Sequence, residues 1–110
     1  MKLVNRGFLT VIPKQSFWEW ANTFEADLEF SEGDDFEPNV YLITEYFMEI
    51  EPVIEQSFKK IFKNELSMIT ENEEDWPETL TLEVFLDWFA INIGSTVFDL
   101  EKSDLKTETV

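Results

Sequence analysis

The stretch "TLTLEVFLDWFAINI", residues 79–93, reads in two ways, and the fold turns on the choice. From Thr79 to Val84 apolar and polar residues alternate as along a half-buried strand. Leu82, Phe85, Leu86, Phe89 and Ile93 instead fall at the three- and four-residue spacing of a helical stripe. The adjacent pairs Phe85-Leu86 and Trp88-Phe89 break the alternation. The spacing therefore predicts a helix over about 81–90 with Thr81 as its N-cap, and a strand within "FAINIGSTVFDL", 89–100. If the helix runs on through residue 91, a second apolar group of Val84, Trp88 and Ile91 lies about 200° from the first. A helix apolar on two sides is either sandwiched or covered by a partner, which makes these three residues candidates for a protein contact.

Working outward, "FLTVI", 8–12, is a β-branched and aromatic run stopped by Pro13, and its near-continuous apolarity predicts a strand buried on both faces. In "SFWEW", 16–20, Ser16 and Glu19 have the spacing of a capping box. The helix it opens places Phe17, Trp20, Ala21, Phe24 and Leu28 on one stripe and leaves Trp18 at its boundary. Trp18 is thus a lesser contact candidate, or packs under Leu28, Phe30 or Phe36. "NVYLIT", 39–44, is the next strand. Pro52 suits a helix's first position, and Ile54, Phe58, Ile61, Phe62, Met68 and Ile69 give a core stripe down to residue 69. Lys59, Lys60 and Lys63 face outward, with Glu55 placed four residues before Lys59 to pair with it.

The element order is β-α-β-α-α-β, an α+β fold with a three-stranded mixed sheet packed against helices. A right-handed crossover makes the first two strands parallel, and the last runs antiparallel to them. Residues 1–100 form one domain and 101–110 a polar tail. The expected core is Phe8, Val11, Phe17, Trp20, Phe24, Leu42, Ile54, Phe58, Ile61, Leu82, Phe85 and Phe89.

Composition narrows the function. The 110 residues carry 24 acids against 8 bases, a formal charge of −16, with no Lys or Arg between Lys14 and Lys59 or between Lys63 and Lys102. Such a surface repels phosphate backbones and anionic lipid, so neither nucleic acid nor membrane is an expected partner. Basic proteins and divalent cations are attracted. Zero His and zero Cys exclude Ser-His-Asp triads, Cys-His nucleophiles and the usual zinc ligand sets. Glycine only at 7, 33 and 94 excludes the glycine-rich phosphate cradles and leaves the acidic loop without a calcium-hand pattern. No run approaches the roughly 18 apolar residues of a membrane span, and the absence of cysteine fits a reducing, cytoplasmic compartment; no cofactor is expected.

Carboxylates remain. Asp34, Asp35 and Glu37 lie in an acidic loop over 25–38 and are candidates for steering a partner or for holding a divalent cation through their oxygens. Glu73, Glu74 and Asp75 are weaker candidates for Mg²⁺ or Ca²⁺. Glu45, with Tyr46 beside it, sits at a strand end where ligands of open sheets bind. Arg6, the one arginine, is placed for a bidentate pair with a carboxylate.

The combination "NRGFLTV", "PKQSFWEWAN", "EPVIEQSFKKIFKNEL", "DWP" and "STVFDLEKS" resembles a family of small acidic bacterial proteins of about this length and unknown function. The resemblance implies a free-standing single domain and carries no catalytic assignment.

The sequence thus points to a non-catalytic acidic protein that binds a basic protein, as inhibitors, immunity-type proteins and phosphate mimics do. A homodimer is the other expected partner. The alternative is a carboxylate-based enzyme or a divalent-metal-binding protein. Because like charges dominate, melting temperature should rise as salt is raised from about 0.01 to 1 M. A melting point highest at low salt would show instead that the acids are paired or metal-bound.

Overall fold

The computed structural model describes residues 1–24 and 37–110. Its elements are β1 (Lys2–Val4), β2 (Gly7–Pro13), α1 (Gln15–Ala21), β3 (Asn39–Ile43), α2 (Ile50–Ser67), a 3-10 turn (Glu73–Asp75), α3 (Leu82–Trp88), β4 (Phe89–Gly94) and β5 (Val97–Asp99). The fold is α+β, with a three-stranded sheet of order β3-β2-β4 packed on helices and a small β1-β5 ribbon.

The deciding stretch divides between its two readings. Thr81 caps α3, its Oγ1 accepting from the Val84 amide at 3.2 Å. The helix stops at Trp88, and Phe89 is already extended (φ −135°, ψ 138°) and opens β4. Ile91 therefore sits on the sheet opposite Val11, and the expected second helical stripe of Val84, Trp88 and Ile91 does not form. Lys14 closes the C-terminal end of α3. Its amide donates to the Trp88 carbonyl at 2.8 Å and its ammonium to the Leu86 carbonyl at 3.1 Å, a cation where the helix dipole is negative.

Strand direction departs from the expectation. Gly7 pairs with Ile43 and Val11 with Asn39, so β2 and β3 are antiparallel, as are β2 and β4. A parallel crossover must return the chain by the full length of β2, about 23 Å for its seven residues. β3 instead starts beside the end of β2, where Asn39 pairs with Val11, so the connection through α1 makes no full return.

The ribbon β1-β5 prolongs the β2-β4 pair with a slip. Between the pairs Val4↔Val97 and Phe8↔Gly94 lie three residues on one strand and two on the other. The extra residue breaks the ladder, as a bulge does. Gly7 sits at this break, where a Cβ would fall 2.7 Å from the Thr44 carbonyl oxygen and 2.8 Å from that of Gly94. On the other face the Phe8 ring covers Gly94, leaving no room for a side chain there.

Among the described residues, helices cover one face of the sheet. Leu9 and Val11 are completely buried on that face, with Tyr41, Ile43, Ile91 and Ile93 packed around them. The other face carries Phe8, Thr10, Ile12, Val40, Leu42, Ala90 and Asn92, without a charge. Leu42, expected in the core, is 53% exposed because it pairs with Phe8 on that outer face, and Ile12 is exposed for the same reason.

Within α1 the two tryptophans exchange their expected roles. Phe17, Trp18 and Ala21 are buried, whereas Trp20 is half-buried and donates its indole N–H to the Asp75 carbonyl at 2.9 Å. Phe24 is largely exposed, and Leu28 lies outside the described residues. Ser16 is not the cap. Lys14 holds that position without a side-chain bond, and the Ser16 hydroxyl meets Asp87 Oδ2 at 3.2 Å. The longer α2 begins at Ile50, two residues before Pro52, which the first turn tolerates. It buries Ile54, Phe58, Ile61, Phe62 and Leu66, while Met68 is exposed.

The helices and sheet meet in an aromatic cluster. Phe62 lies 5.7 Å from Phe85, 5.6 Å from Trp88 and 5.7 Å from Phe89 by ring centroids, and Phe17 packs on Phe89 at 5.2 Å. Residues 100–110 contain no helix or strand, but Lys2 donates to the carbonyls of Lys102 and Ser103. No helix among the described residues is long and apolar enough to cross a membrane. Phe62→Ala should cost about 3–5 kcal/mol, read by chemical denaturation. A loss near zero would show that the cluster does not depend on Phe62.

Candidate functional site

Glu65 follows Phe58 by seven residues and Ile61 by four, which puts a carboxylate on the buried stripe of α2. It is 4% exposed. Asn39 and Tyr41, two residues apart on β3, turn to the same face and reach it. Asn39 Nδ2 donates to Glu65 Oε2 at 2.8 Å and the Tyr41 hydroxyl donates to the same oxygen at 2.5 Å. Asn64 Nδ2 donates in turn to the Tyr41 oxygen at 2.9 Å.

Beside this network lies a cavity of about 220 Å³, walled by Pro13, Phe17, Trp18, Met68 and Ile69, with Asn39, Glu65 and Glu37 as its polar lining. Its walls come from the end of β2, from α1, from the start of β3 and from the last turn of α2. The antiparallel register brings them together, since Asn39 pairs with Val11 just before Pro13.

The electrostatics are one-sided. Among the described residues the ion pairs are Lys2 with Asp99 and with Asp104, both at 3.8 Å, so no cation stands within pairing distance of Glu65. A buried carboxylate held only by neutral donors keeps much of its desolvation cost. Burial raises the Tyr41 pKa well above its ordinary 10; the Asn64 hydrogen bond opposes this, and the Glu65 hydrogen bond and charge add to it. The phenol is therefore a fixed donor at neutral pH.

Two of the sequence candidates meet at this cavity, Trp18 in the wall and Glu37 on the lining. Asp34 and Asp35 lie outside the described residues. Val84 and Trp88 line a separate hollow with Lys14, Glu83, Leu86 and Asp87. Trp88 is half-buried against Phe17, Trp20 and Phe62. Glu73, Glu74 and Asp75 are exposed, and among the described residues no group of three His, Cys, Asp or Glu side chains is placed to hold a metal ion. Glu45 and Tyr46 follow β3 in a loop. Tyr46 is 84% exposed, and the hydrogen bond and charge of Glu45 raise its pKa. Arg6 donates to the Asn5 carbonyl at 2.7 Å instead of to a carboxylate. Lys59, Lys60 and Lys63 are exposed, and the expected Glu55–Lys59 pair does not close.

Sequence reasoning passed over Glu65, Asn39 and Tyr41. The available signal was an acid at a core position of α2, since a charged residue on an apolar stripe is seldom buried without a partner. No family model, curated protein or solved structure matches the chain, so the functional reading rests on its own residues.

Tyr41→Phe removes a hydrogen bond to a charged group and should cost roughly 1.5–3 kcal/mol at neutral pH. It should also change the alkaline limb of stability. A folded-state pKa raised above the unfolded value means that the native state holds the proton longer. The stabilisation is then complete below about pH 10 and is lost as pH rises through the folded value. Urea titrations from neutral to alkaline pH should show this decline in the parent and a flatter one in Tyr41→Phe. An unchanged slope would assign the effect elsewhere.

Proposed function

We propose that this chain is a non-catalytic binding protein for a basic protein partner, of the inhibitor, immunity or phosphate-mimic kind, acting in the cytoplasm. The observation that carries the reading is unneutralised negative charge. Twelve acids and no base occupy residues 15–58, and the ion pairs among the described residues engage only Asp99 and Asp104. An excess of carboxylates of this size steers a cationic surface at long range and sets the salt dependence of its capture. A homodimer remains a second partner reading. The −16 charge of each copy opposes it, and the charge-free outer sheet face is the surface that suits it.

A carboxylate-based enzyme is the second functional reading, favoured by Glu65 in its cavity. It needs an acid–base partner for Glu65, and the two groups that touch the carboxylate are both donors: an amide and a phenol whose pKa is driven upward. These neighbours suit holding a cation better than moving a proton.

In a capture from cell lysate, the bound proteins should be predominantly basic and should release as salt rises from about 0.05 to 0.5 M. Retention of acidic proteins, or binding indifferent to salt, would sink the proposal.

A further inference from the structure

Resting on that reading, we propose that the Glu65 cavity is the specificity pocket of the interaction and takes the side chain of a single lysine from the basic partner.

The charge argument comes first. Glu65 is a buried carboxylate without a cation, in a chain that already carries −16. A ligand ammonium supplies the missing countercharge, and low-dielectric walls make that attraction stronger than at an exposed site. Both existing hydrogen bonds land on Oε2. Glu65 itself lines the cavity, so a ligand cation seated there meets its carboxylate.

The shape and chemistry of the walls fit a lysine. Phe17 and Trp18 bring aromatic rings, whose faces attract a cation. Pro13, Met68 and Ile69 are apolar and suit a four-carbon stem. Glu37 adds a second negative group. A carboxylate with Oε2 already taken by two donors suits the compact ammonium of lysine, whereas a guanidinium fork seeks two parallel acceptors. Asn39 and Tyr41 act as positioning residues that hold the carboxylate toward the cavity.

The test is a titration of the ¹⁵N-labelled full chain with Nα-acetyl-lysine-N′-methylamide, its norleucine counterpart and its arginine counterpart. The expected result is shifts at the Trp18 indole, the Asn39 side-chain amide and Ile69 with the lysine compound. Affinity should fall about tenfold or more for norleucine and for the parent-like fold of Glu65→Gln, as when one side of a buried charge pair is removed. Met68→Trp fills the cavity from an exposed position and should abolish the response with Glu65 intact, which keeps the test decisive if Glu65→Gln misfolds. Equal binding of norleucine, tighter binding of arginine, or an undiminished response in Met68→Trp would overturn the proposal. Hexalysine forms a second arm. If it binds at low salt with shifts spread over surface acids and equally in both variants, the cavity proposal fails and the basic-partner reading stands. If neither hexalysine nor the lysine compound binds, both fail.

Discussion

The structure hangs on the point where α3 becomes β4. Phe89 ends the helix in backbone, pairs with Pro13 in the sheet and places its ring against Phe17, Phe62 and Phe85. Helix and strand are thus joined without a loop, and the join is tied to α1 through the Lys14 bonds to Trp88 and Leu86. The extended backbone at Phe89 is unstrained, and the packing around its ring fixes where the helix gives way to the strand. Three aromatic neighbours, one each from α1, α2 and α3, hold that ring. The same tie fixes where α1 lies, and with it one wall of the Glu65 cavity.

That cavity sets stability against the binding proposed for it. The rest of α2's inner stripe is apolar, and an apolar residue at 65 would avoid the desolvation that a carboxylate meets there. The chain instead surrounds the acid with an amide and a phenol, enough to satisfy one oxygen. The arrangement resembles an interface awaiting its other half more than a closed core.

Long-period features were legible in the sequence, and short or relational ones were not. The α2 stripe from Ile54 to Phe62 and the Thr81 cap follow from local spacing and stand as read, whereas Met68, past the helix end at Ser67, is exposed. β1 and β5 have three residues each and give no pattern to detect. Strand direction depends on where the chain returns rather than on what the strand contains, and this undid the parallel reading of β2 and β3. The Leu42 error has a related cause: β3 is apolar on both faces, so only its register with β2 decides which side is inward. In α1 the helix is too short for a long stripe to govern it, and the buried set is the compact trio of Phe17, Trp18 and Ala21. Trp18 and Glu37 could be named as candidates from sequence, but their meeting place could not, because Glu65 was hidden among the ordinary acids of an acidic chain.

The uncovered side of the sheet gives the −16 charge a colloidal meaning. Phe8, Ile12, Val40 and Leu42 form a neutral surface, and the strands at both sheet edges, "NVYLI" and "FAINIG", contain no charged gatekeeper. Mutual repulsion between molecules takes over that protective duty. It fades as pH approaches the isoelectric point of about 4.1, while the apolar face stays as sticky as before. Mild acid should therefore turn the same surface from a well-dispersed one into one prone to edge-to-edge association.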